Sequence, residues 1–137
     1  MERLAVADPS NTDWRHDLVM WYQRIGGVLE AQGKLDEALK TYRDSLTMME
    51  RLAAVVQDNN SWQRDLSVAY ESVGRVLVAQ GEFDDGLMVY RDSVAIIERL
   101  VAKNSNNALW QWHIAISYEK VGDVLVARGK LDEALKA

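Results

Sequence analysis

The chain has no cysteine among its 137 residues. That excludes a disulfide framework and thiolate chemistry, and it fits a cytoplasmic protein. It has no apolar run near the roughly 18 residues that cross a bilayer. Its first residues, MERLAVADPSN, lack the basic start and apolar stretch of a secretory signal and read as ordinary domain sequence. Positive charge is also short. Sixteen Lys and Arg against 21 Asp and Glu give a net charge of -5 and a pI of about 5.0. Nucleic-acid binders carry a basic patch that releases counterions from phosphates, so neither nucleic acid nor an anionic membrane surface is an expected partner. Catalytic groups are sparse. The two histidines, His16 and His113, stand alone and are read as packed or solvent-facing rings. There is no Gly-rich phosphate loop, metal-spaced cluster or nucleophile motif. No cofactor, metal or enzymatic activity is expected.

What is present is a repeat. Apolar residues make up 48% and charged residues 27% of the chain, ordinary values for a globular domain of this length. Trp14, Trp62 and Trp110 are spaced by 48 residues each time (62 − 14 and 110 − 62). The same step relates Tyr22, Tyr70 and Tyr118, then Gly26, Gly74 and Gly122, then Gly33, Gly81 and Gly129. YRDS at Tyr42–Ser45 returns at Tyr90–Ser93, and KLDEALK at Lys34–Lys40 returns at Lys130–Lys136. The chain is therefore one array of units 1–48, 49–96 and 97–137, the last incomplete.

Each unit reads as two helices. In the first, from about Thr12 to Gln32, Trp14, Leu18, Tyr22, Ile25 and Leu29 recur at steps of three or four and make an apolar stripe. Asn11, Asn59 and Asn107 are placed to cap these helices, and Gly33, Gly81 and Gly129 to stop them in the left-handed conformation. The second helix, from about Leu35 to Val56, has Leu35, Ala38, Leu39, Tyr42, Leu46, Met49, Leu52 and Val56 as its stripe. The pairs Asp36/Glu37, Asp84/Asp85 and Asp132/Glu133 fall in its first turn, where the helix dipole favours negative charge, so they are not read as catalytic carboxylates. A link of about two residues makes the two helices antiparallel neighbours. Gly26, Gly74 and Gly122 lie inside the first helix, at a cost of about 1 kcal/mol each relative to alanine. The reading is that the partner helix passes too close there for a side chain, with Ala38, Gly86 and Ala134 as the small residues opposite.

These residues resemble the tetratricopeptide repeat. That family's helix pair carries an aromatic, an apolar residue with glycine, a turn of the form Q-G-x-[LYF]-D-E-A and a second aromatic. Here they are Tyr22, Ile25-Gly26, Gln32-Gly33-Lys34-Leu35-Asp36-Glu37-Ala38 and Tyr42, then Tyr70, Val73-Gly74, Gln80 to Gly86 and Tyr90, then Tyr118, Val121-Gly122 and Arg128 to Ala134. One departure is the 48-residue step against the family's 34. The resemblance implies an all-α fold, an α-solenoid of antiparallel helix pairs wound as a right-handed superhelix, acting as a protein–protein interaction scaffold. It implies that the first helices line a concave face that grips a partner peptide or domain. By position that face comprises Met20, Gln23, Gly27 and Glu30, then Val68, Glu71, Arg75 and Val78, then Ile116, Glu119, Asp123 and Val126. Relatives that hold a C-terminal carboxylate use Lys, Arg and Asn there. The acidic Glu71, Glu119 and Asp123 instead suit a partner with apolar anchors and some basic residues.

Trp21 stands where the other units have Ala69 and Ser117, and is read as covering an N-terminal edge. Met1–Val6 matches the tail of a second helix and Leu131–Ala137 the head of one, so both edges fall inside a unit. Two expectations follow: a segment of a longer array, or self-association head to tail into a ring or filament.

Overall fold

The computed structural model describes residues 12–56, 59–104 and 106–136. Its helices are α1 (Thr12–Ala31), α2 (Leu35–Val55), α3 (Asn60–Ala79), α4 (Phe83–Lys103) and α5 (Ala108–Lys136). Among the described residues there is no strand, and the fold is an all-α helical repeat. The first helices begin at Thr12, Asn60 and Ala108 and the second helices at Leu35 and Phe83, in the register set by the tryptophans and glycines. The chain forms two compact units, residues 1–69 and 70–137.

The starts of α3 and α5 are capped as their sequences foretell. The Asn59 side-chain oxygen accepts from the Trp62 N–H at 3.0 Å. That of Asn107 accepts from Leu109 at 2.9 Å and Trp110 at 3.4 Å. Asn11 lies outside the described residues. The turn from α1 to α2 closes through Gly33 at φ 76°, with Lys34 N–H bonded to the Leu29 carbonyl at 2.9 Å and Gly33 N–H to that of Glu30 at 3.0 Å. The turn from α3 to α4 repeats it at Gly81, φ 81°, with Glu82 bonded to Leu77 and Gly81 to Val78. These paired bonds satisfy carbonyls that a helix end leaves bare, and the left-handed residue they need is cheapest as glycine.

In residues 1–69, α2 folds back along α1 and buries Ala38, Tyr42, Ser45, Met49, Leu52 and Ala53. Half of the anticipated α2 stripe (Ala38, Tyr42, Met49 and Leu52) is buried, and Leu35, Leu39, Leu46 and Val56 are half-buried. On α1 Val19 is fully buried, whereas Ile25 of the anticipated stripe is 37% exposed. In residues 70–137, Leu87, Tyr90 and Val124 form a core joined by Val78, Phe83 and Val121. Here α5 meets α4 through Val121 and Val124, and Trp110 and Ser117 of α5 are also buried.

The last unit departs from expectation. Gly129 does not stop a helix, and no second helix begins at Leu131, because α5 runs unbroken from Ala108 to Lys136. Positive φ occurs only at Gly33 and Gly81 among the described residues. Asp132 and Glu133 therefore sit near a helix end rather than in a first turn. Ala134, expected to pack closely, is exposed. Nothing approaches Gly122 within 4 Å of where a side chain would stand. One cause accounts for all of these. Turning back in the first unit buries Tyr42, Met49 and Leu52, each worth roughly 1.5–3 kcal/mol. Among the described residues after Gly129 no such side chain is buried, and Leu131 and Leu135 are exposed. Continuing the helix instead gains backbone hydrogen bonds.

Candidate functional site: the faces of the first helices

Two kinds of surface meet on each first helix, one facing its own second helix and one facing away. The first kind is densely bonded in residues 1–69. The Tyr42 ring lies over Gly26, so close that a Cβ at Gly26 would stand 2.5 Å from it. Its hydroxyl donates to Glu30 at 2.8 Å. The Gln23 amide donates to the Ser45 hydroxyl at 3.1 Å, and that hydroxyl donates to the Val19 carbonyl at 3.4 Å. The YRDS motif therefore supplies a ring for a glycine notch and a small hydroxyl for a close helix crossing. Residues 70–137 repeat the ring contact, with Tyr90 2.8 Å from a Cβ at Gly74. Gly86, the small residue opposite, would bring a Cβ within 2.7 Å of Val78 and 3.3 Å of the Gly74 carbonyl.

The expected interaction residues therefore separate. Gln23 and Glu30 are bonded to α2, and Val78 packs into the core beside Leu87 and Tyr90. Glu71 is ion-paired with Lys120. Met20 and Ile116 are half-buried, while Arg75, Glu119 and Asp123 are exposed. Val68 is 42% and Val126 57% exposed. The signal that could have sorted them is in the sequence. Positions 23 and 30 stand three before and four after the Gly26 notch, on the side that α2 covers.

His16 is a packed ring. It stacks on Trp62 at 5.2 Å with the planes 7° apart, and its Nε2 meets Asp65 at 2.8 Å, tying α1 to the start of α3. Beside the α3–α4 turn, Arg128 pairs with Asp84 at 3.0 Å. Among the described residues, no group of three or more His, Asp or Glu could hold a metal, and no helix is long and apolar enough to cross a membrane.

Trp21 is 54% exposed, with Val28 at 58% beside Ile25, whereas their counterparts Ala69, Val76 and Val73 are almost fully buried. An exposed face of a different kind lies on α5. Ala115, Tyr118, Glu119, Leu125 and Val126 are exposed around Gly122. Of the equivalent residues of α3, Ser67 and Leu77 are buried and Tyr70, Glu71 and Val78 half-buried.

Residues 14–56 match the family model described as tetratricopeptide repeat, the stretch that holds α1, its glycine notch, the turn at Gly33 and α2. No curated protein matches the chain.

Proposed function

From a chain that carries a tetratricopeptide repeat, a family of protein interaction modules, we propose a scaffold that binds a protein segment on the exposed faces of its first helices. One observation carries this reading. The position of Met20, Val68 and Ile116 stays apolar in every unit although none of the three is fully buried. Two turns away, Gly27, Arg75 and Asp123 change chemistry from unit to unit. Packing alone does not require an apolar residue at the surface three times, whereas a bound segment with apolar anchors does.

The binding surface is then narrower than the positions taken over from the resemblance. Gln23, Glu30 and Val78 hold the scaffold together, and Glu71 presents its charge already paired to Lys120. Met20, Val68, Arg75, Ile116 and Asp123 remain as contact residues. Glu119 and Asp123 favour a segment that carries some basic residues beside its apolar anchors.

A library of displayed peptides selected on the immobilised chain tests the proposal. Val68→Asp with Arg75→Glu should weaken the selected peptides by about tenfold or more without moving the thermal unfolding curve. Peptides that bind the double variant as well as the parent would remove this reading.

A further inference from the structure

We draw no further inference here: the strongest candidate, the exposed apolar surface patch of Trp21, Ile25 and Val28 on α1, carries nothing because nothing in the structure shows what covers it.

Discussion

The same seven residues, KLDEALK, have two fates in this molecule. At Lys34–Lys40 they follow a glycine at φ 76° and open a helix that turns back on its neighbour. At Lys130–Lys136 they are the last turns of a 29-residue helix that does not turn. Local propensity is identical, and so is the glycine before each. The difference lies downstream. After the first copy come Tyr42, Ser45, Met49 and Leu52, all buried against α1 or beneath it. Around the second copy no described side chain after Gly129 is buried, and Leu131 and Leu135 are exposed. A heptad is too short to settle its own direction, because isolated helices of this length are marginal and tertiary burial decides them.

The sharpest way to break the comparison is to give the second copy what the first has. Appending YRDSLTMMERLAAVV after Ala137 should break α5 at Gly129 and fold the new segment back over Gly122. Spin labels at 119 and 134 lie 15 residues apart, about 22 Å along a continuous helix at 1.5 Å per residue. They should come to about 10 Å in a helix hairpin. A distance that stays near 22 Å would show that burial is not what chooses the turn. Smaller, but opposite in sign at the two ends, is the response of the notches. Gly26→Ala should destabilise by about 1–3 kcal/mol, because the Tyr42 ring must move. Gly122→Ala should stabilise by about 1 kcal/mol, because it meets nothing and helix propensity alone acts. Urea unfolding of both variants reads the contrast, and equal signs would refute it. The smallest pair is the turn glycine. Gly33→Ala should cost about 1–2 kcal/mol for a left-handed residue, while Gly129→Ala should gain up to about 1 kcal/mol in a helix interior. Thermal unfolding under matched conditions compares them.

The candidate site was legible to the extent that packing and display use different residues. The constant Tyr22, Gly26 and Gly33 positions marked the scaffold, and the varying 27, 75 and 123 marked the surface. That Gln23 and Glu30 face the second helix was legible only from their places beside the glycine notch, not from their own chemistry. A polar side chain at a helical position looks the same whether it meets water or a tyrosine hydroxyl 2.8 Å away. Nor was the Glu71–Lys120 pair visible, since its members lie 49 residues apart and belong to no shared motif.

The sequence by itself determined the unit. The 48-residue recurrence of Trp, Tyr and Gly, the 3.6-residue apolar period, the asparagine caps and the paired acids in the first turns of α2 and α4 all act through neighbours a few residues away. Local stereochemistry reads them the same way each time they appear. Only the tertiary structure decided whether a turn glycine turns. Gly33, Gly81 and Gly129 have the same local freedom, and each turns only when the helix beyond it can bury enough apolar surface to outweigh the backbone hydrogen bonds of simply going on.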